Sequence, residues 1–366
     1  SSNMYEKSFW KSLTRGARPI LIYGTGNGAD KIIDIIEHFG GRIAGVFASD
    51  GFVRTRTFRG HTVMSYSDVR ASYGDDISIV AAFGSTLPEV IDFLWLLDSR
   101  HDLYIPEVPL FCDDLIGELF CDEYMAAHAA EIAAARSLMS DERSVKLFDD
   151  MVNHRLSGKL RYLSDTEVPA DSLAELLPCG EIRTAIDGGA FKGDTAKLFC
   201  AAFPNLEALA AAEPDARSFA KLSALAGEHG YEAVIPVNAA LSDSCGTIEF
   251  VSGGSRGSAV GGKAHRARTV SCQAMTIDRI VSDMLGGSCD FIKLDTEGFE
   301  SAALDGAADT LTRQPILSVS LYHRTADLFE LPLRLARSYP GARFFLRRPK
   351  CVPEWDLTLY VIPGIR

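Results

Sequence analysis

The stretch Ala185-Ile-Asp-Gly-Gly-Ala-Phe-Lys-Gly-Asp-Thr195 reads as a short apolar strand tipped by an aspartate, a glycine-rich turn, and the start of a helix. Further along, Phe291-Ile-Lys-Leu-Asp-Thr-Glu-Gly-Phe-Glu300 repeats the plan with Asp295 at the tip. In an open α/β sheet, ligands bind outside the carboxyl ends of the strands, near the point where strand order reverses. Two acid-tipped strands of this kind predict one ligand crevice. Gly188, Gly189 and Gly193 let the backbone approach a ligand closely and turn sharply into the helix.

Working outward, apolar strands alternate with helical stretches from Ile182 onward, the pattern of a mostly parallel sheet. The expected strands are 183–187, 208–213, 233–238, 291–295, 316–321, 342–346 and 358–362. The last two are close in sequence and are expected to pair antiparallel. Upstream, Ile20-Leu-Ile-Tyr23 predicts a buried strand, and Gly24-Thr-Gly-Asn-Gly28 a turn. A helix over 29–39 would bury Ile32, Ile33, Ile35, Ile36 and Phe39. Strands over 43–47 and 77–83 and a helix over 88–97, with Pro88 in its first turn, complete a small α/β unit. Between the two units, the alanine-rich run 124–139 and the stretch 141–156 predict two helices. The second offers Val145, Leu147, Phe148, Met151 and Val152 as its apolar face. This segment lacks the Gly/Ser or Pro content of a free tether and reads as a packed helical connector. The fold class is therefore α/β. A smaller Rossmann-like domain spans 1–111, a helical connector 112–178, and a larger Rossmann-like sheet domain 179–366.

Bulk properties narrow the function. The chain has 366 residues, of which 47% are hydrophobic, enough for two cores. A net charge of −12 argues against nucleic acid or an anionic membrane as partner. The 8 cysteines are scattered, with no Cys-x-x-Cys pair and no His/Cys cluster, so reduced thiols fit better than disulfides or zinc. No membrane-span run is seen, nor a basic segment followed by an apolar run at the N-terminus. The expectation is a soluble, cytoplasmic protein acting on a small molecule. Association into a homo-oligomer is left open.

The chemistry lies at the strand tips. A carboxylate at the head of a glycine turn repels a pyrophosphate, whereas Asp187 can meet the ammonium end of S-adenosylmethionine (SAM), directly or through water. Glu213, at the expected end of the next strand, can accept from both ribose hydroxyls. The plainer reading is a turn in which Asp187 or Asp194 caps the helix. Asp295 closes a neighbouring strand, with Glu297 and Glu300 just beyond it, and His323 ends the strand after that. Methyl transfer to a hydroxyl is an in-line displacement that gains from alignment and from removal of the acceptor's proton. His323, Asp295 and Glu297 are the candidate catalytic residues. Their plainer roles are to shape the pocket or, for Glu297 and Glu300, to start a helix favourably. Oxygen donors here allow Mg²⁺ without favouring it. Residues 252–268 are glycine-rich and basic, and they read as a mobile loop. Arg256, Lys263, His265, Arg266 and Arg268 could close over an anionic acceptor such as a nucleotide sugar, or simply be solvated. Gly24-x-Gly26-x-x-Ala29, with Asp50 after the second strand, fits either a nucleotide site or a retained scaffold.

Several blocks occur together in one order. They are Asp187-Gly-Gly-Ala-Phe-Lys-Gly-Asp-Thr195, Glu213-Pro214, Asn238-Ala-Ala-Leu-Ser-Asp243 and Ile292-Lys-Leu-Asp-Thr-Glu-Gly-Phe-Glu300, followed by Leu321-Tyr-His323 with Asp327-Leu328. In these the C-terminal half resembles the FkbM family of SAM-dependent methyltransferases. The N-terminal unit more loosely resembles the nucleotide-sugar-binding domain that precedes some sugar acyltransferases. The resemblance implies a class I methyltransferase sheet and O-methylation, often of a sugar or polyketide hydroxyl. It further implies that Asp187, Gly188, Gly189, Ala190, Gly193, Asp194, Thr195, Glu213, Pro214 and Asp295 surround SAM, with Asn238 near the adenine. Two alternatives stay open: a SAM-binding sensor or scaffold without turnover, and an RNA methyltransferase, which the acidic balance disfavours.

Overall fold

The computed structural model describes residues 4–49, 57–252 and 268–364. The N-terminal unit is built on β1 (Ile20–Tyr23), β2 (Gly45–Ala48), β3 (Thr57–Phe58), β4 (His61–Ser65), β5 (Ser78–Ala81) and β6 (Asp102–Tyr104). Their order is β3-β4-β2-β1-β5-β6, with antiparallel pairing only between β3 and β4. The helix after β1 spans Asn27–His38, starting two residues before the expected position, and buries Ile32, Ile33, Ile35 and Ile36. Phe39 falls at its C-cap and is only half-buried. Gly28 has to be glycine, because a Cβ there would lie 2.7 Å from the Ala82 carbonyl oxygen.

Two helices follow, Asp122–Ser137 and Glu142–Ser157. Asp141 caps the second, accepting from the Ser144 backbone N–H at 2.8 Å. Its Leu147, Phe148, Met151 and Val152 are buried, each worth about 1.5–3 kcal/mol relative to exposure. This helix touches both sheets. The Ser144 hydroxyl accepts from the Leu346 N–H at 2.9 Å, and the Ile105 N–H donates to the Gly158 carbonyl just past its end at 2.7 Å. One continuous cluster of buried side chains accordingly runs from Leu21 and Phe47 through Phe148 and Met151 to Ile186 and Leu294.

The C-terminal sheet contains β7 (Thr184–Gly188), β8 (Ala208–Ala212) and β9 (Val234–Val237) on one side. Between β9 and the rest lies a separate three-stranded sheet of β10 (Ala240–Leu241), β11 (Gly246–Ser252) and β12 (Arg268–Met275). The main sheet resumes with β13 (Phe291–Leu294), β14 (Ile316–Ser320), β15 (Arg343–Arg347) and β16 (Thr358–Ile362). Its order is β15-β16-β14-β13-β7-β8-β9. Strands β7, β8, β9, β13 and β14 run parallel, and β16 pairs antiparallel with both β14 and β15, as expected for the last pair. The order reverses between β7 and β13, so the crevice predicted from the two acid-tipped strands lies there. Strands β11 and β12 pair in register from Gly246↔Ala274 to Ser252↔Arg268, which shortens the expected loop to the segment between them.

Both sheets direct their carboxyl ends toward a common interface. Ser85, just past β5, bridges to Val352, and Gly84 accommodates the Trp355 ring where a Cβ would lie 2.1 Å from it. The Thr325 hydroxyl donates to the Glu118 carbonyl at 2.7 Å. At the centre, buried Glu354 is paired with Arg155 and lies 3.3 Å from His154 Nδ1, while Arg155 Nη1 donates to the Thr325 carbonyl at 3.0 Å.

Candidate active site

The turn after β7 is shaped by what lies against it. A Cβ on Gly189, whose φ is +77°, would fall 1.9 Å from the Asp295 carbonyl oxygen, so only glycine lets the two strand ends approach this closely. Gly193 likewise has φ +103° and rests on Leu225 at the start of the helix Asp194–Ala202. Between them Ala190 is buried, and Phe191 sits at φ +52°, a left-handed conformation that non-glycine residues adopt at a cost.

Asp187 is wholly buried beneath this turn. Its Oδ2 accepts from the Thr195 hydroxyl at 2.6 Å, and its Oδ1 lies 2.9 Å from Lys293 Nζ. The lysine contact is ionic and not aligned as a hydrogen bond, which leaves Oδ1 without a hydrogen-bond partner. Lys293 Nζ also donates to the Gly189 carbonyl at 2.9 Å and so ties β13 to the β7 turn. The Asp187 carboxylate, expected to meet the ammonium end of SAM directly or through water, is shut off from solvent in this conformation. Asp194 is exposed at the head of its helix.

Glu213 follows β8 and is buried. Its Oε1 accepts from the Phe191 N–H and its Oε2 from the Asp215 N–H, each at 2.8 Å. Both oxygens are thus oriented, and each keeps accepting capacity. Burial raises its pKa, the two backbone N–H groups oppose this, and the Glu297 charge adds to the rise. Pro214 is half-buried beside it, while Asn238 is exposed just past β9.

The third group gathers at the ends of β13 and β14. His323 is 2% exposed, with Nδ1 hydrogen-bonded to buried Glu300 and Nε2 3.3 Å from Asp295 Oδ1. Tyr322 donates to the same Asp295 oxygen at 3.1 Å. Glu300 opens the helix Glu300–Asp305, and its other oxygen accepts from the Gly298 N–H at 3.0 Å. Phe111, from the segment after β6, closes over His323 edge-on, with ring centroids 5.7 Å apart. Asp327 starts the next helix, and burial, reinforced by the Glu300 charge, raises its pKa to about 7.

Of the expected trio of Asp295, Glu297 and His323, the structure brings Asp295 and His323 together. Asp295, Glu300 and His323 converge, with one ligand atom from each within 4.8 Å of the others. Glu297 sits at φ +53° in the tight turn after Asp295, near enough for its charge to add to the rise in the Glu213 pKa. Glu300, one helical start further on, takes the place by the histidine. Sequence reading also missed Lys293, a charge within an apolar strand, and Phe111, which reaches the site from the other unit. Of the expected basic group, Arg256, Lys263, His265 and Arg266 lie outside the described residues, and Arg268 begins β12. Asp50 also lies outside them, and Gly24 (φ +120°) turns the chain after β1. A separate concavity of about 580 Å³, lined by residues including Glu6, Lys11, Arg15 and Arg161, contains none of these groups.

No helix among the described residues is long and apolar enough to cross a membrane. Residues 187–343 match the family model of the methyltransferase FkbM domain. The fold matches a crystal structure of methyltransferase FkbM from Methylobacillus flagellatus with a TM-score of 0.68 at 17% identity, over 96% of this chain and 92% of that one. More distant matches are fibrillarin of Aeropyrum pernix with natively bound S-adenosyl-L-methionine (TM-score 0.31, 12% identity, 53% of this chain and 73% of that one). Another is the O-methyltransferase TomG of Streptomyces achromogenes, involved in tomaymycin synthesis and crystallised with SAM (TM-score 0.33, 12% identity, 64% and 96%). These two are too different in shape to bear on the site. No curated protein matches the chain by sequence. Residues 187–343 thus match the FkbM methyltransferase domain, and the chain as a whole has the fold of the Methylobacillus flagellatus methyltransferase FkbM.

Proposed function

We propose that the chain is a SAM-dependent O-methyltransferase acting on a hydroxyl of a sugar, a nucleotide sugar, or a glycan or secondary-metabolite precursor. The observation that carries this reading is the convergence on one crevice of the Gly189 turn, the pre-oriented Glu213 carboxylate and the His323–Asp295 pair. The donor set fits the cofactor. Glu213 offers two aligned acceptors to a ribose diol, and the glycine turn admits a ligand against the backbone. Bound SAM would supply a methyl group on a positively charged sulfur.

The remaining work falls to this chain's own residues. Glu213 and the β7 turn hold and orient the cofactor. The crevice wall sets the acceptor in line, and alignment of this kind removes much of the entropic barrier. The His323–Asp295 pair is where the acceptor hydroxyl would lose its proton. That pair favours a hydroxyl acceptor, since a thioether or neutral amine needs no proton removed before it attacks. Phe111 and the burial of His323 keep bulk water from the reacting oxygen. The basic residues between Ser252 and Arg268 would meet the phosphates of a nucleotide sugar.

Calorimetric titration with S-adenosylhomocysteine tests the reading. Wild type should bind with micromolar affinity, and Glu213→Gln should bind about 10–100-fold more weakly while staying folded. Transfer of labelled methyl to nucleotide sugars would follow. Absence of binding to well-folded wild type would remove the proposal.

A further inference from the structure

We propose that Phe191 is a cofactor-contacting residue, its ring forming a wall beside the ribose that Glu213 would hold. This rests on the methyltransferase reading above and adds to the β7 turn a side chain that reading does not use. Two independent observations lead to it. The first is backbone strain. Phe191 sits at φ +52°, in the left-handed region that bulky residues avoid. The turn around it is pinned. The Gly189 and Ala190 N–H groups donate to the Ala212 carbonyl at 3.0 and 2.9 Å, and the Gly193 N–H donates to the Ala190 carbonyl at 3.0 Å. The Phe191 N–H donates in turn to Glu213 Oε1 at 2.8 Å. That bond uses the backbone alone. Glycine would supply the same N–H in a left-handed turn without strain.

The second observation is where the ring goes. Phe191 is 38% exposed, whereas Phe199 in the following helix is buried in the core. Lys192 Nζ stands 5.2 Å from the Phe191 ring centroid, a contact made at the surface. The fold therefore carries a strained backbone for a ring that adds little to its core. Strain of this kind persists where a site uses it. The place of the turn identifies the occupant. At one end its Phe191 N–H lies on the carboxylate that would accept from the ribose diol. At the other, Gly189 packs directly against the Asp295 carbonyl. A ligand that runs from Glu213 toward Asp295 thus lies alongside the turn, within reach of the side chain that projects from it. An exposed ring covered by such a ligand gives up apolar surface to it, which favours binding.

The test is calorimetric titration of the full chain with S-adenosylhomocysteine, together with thermal unfolding in the absence of ligand. Wild type, Phe191→Gly, Phe191→Ala and Phe191→Tyr are compared. Both truncations should bind about 10–100-fold more weakly, the range expected for one aromatic side chain covered by a ligand. Phe191→Tyr, which keeps the ring, should bind like wild type. Without ligand, Phe191→Gly should melt above Phe191→Ala, because only glycine relieves the strain. Weaker binding by both truncations separates the ring from the backbone, since alanine keeps the turn restricted and glycine relaxes it. The proposal is overturned if wild type binds and Phe191→Gly or Phe191→Ala binds as tightly. It is equally overturned if the two truncations melt together, for the strain would then be absent. Either result leaves the methyltransferase reading standing. Failure of well-folded wild type to bind would remove both.

Discussion

Replacing Asp187 with alanine should damage the fold before it damages ligand binding. The carboxylate is wholly buried, and Lys293 Nζ lies 2.9 Å from it with a side chain only 9% exposed. Removing one partner of such a pair strands the other charge in a low-dielectric interior, at about 3–5 kcal/mol. The Thr195 hydroxyl also loses its acceptor, adding about 1 kcal/mol. The sum, about 4–6 kcal/mol, is a large share of the roughly 5–15 kcal/mol that holds a typical domain together. Urea unfolding of wild type, Asp187→Ala, Lys293→Met and the double variant would measure it. Each single change should cost several kcal/mol. The double change should recover at least about 2 kcal/mol of their sum, because no charge is left unpaired. The reasoning fails if Asp187→Ala unfolds within about 1 kcal/mol of wild type yet no longer binds S-adenosylhomocysteine. Asp187 would then be a ligand-contacting group and not the counter-ion of Lys293.

Three further outcomes are expected. Because burial raises the Glu213 pKa, protonation should weaken S-adenosylhomocysteine binding at a pH above the ordinary carboxylate range, and Glu213→Gln should flatten that profile in calorimetry. Burial also raises Glu107 from 4.5 to about 8, with Arg155 opposing and Glu354 adding to the rise. Its folded form then holds a proton that the unfolded form has released, so its contribution is fully present below pH 4.5 and is lost as pH rises through 8. Glu107→Gln should accordingly be more stable than wild type near pH 7 and no more stable at pH 4, and equal melting temperatures at both would contradict this. Gly189→Ala places a Cβ 1.9 Å from the Asp295 carbonyl at φ +77° and should cost at least 1–3 kcal/mol. A crystal structure of that variant with an unmoved β7 turn would count against the close approach described for it.

The parallel core was legible because its strands are uninterrupted apolar runs and its turns carry aspartate and glycine. β7, β13 and β14 lie where Ile186, Ile292 and Val319 predict them. The hairpin of β11 and β12 was missed although its arms alternate polar and apolar residues, because they flank a glycine-rich basic stretch that dominates the composition. β6, with only three residues, was too short to give a periodic signal. At the candidate site, spacing singled out Glu213, Asp295 and His323 and chose Glu297, whereas the structure sets Glu300 beside the histidine. That difference depends on a left-handed turn at Glu297 and Gly298, which no local pattern in the sequence reveals. Lys293 was hidden by its strand, because a charge inside an apolar run has meaning only once its partner across the sheet is known. Phe111 comes from another unit altogether, and no local pattern points to it.

The most direct measurement is a crystal structure of the protein grown with S-adenosylhomocysteine. The ligand should lie in the β7–β13 crevice, with its ribose hydroxyls on Glu213 and its sulfur facing the Asp295–His323 end. A ligand bound elsewhere, or a crevice still without ligand at saturating concentration, would contradict it.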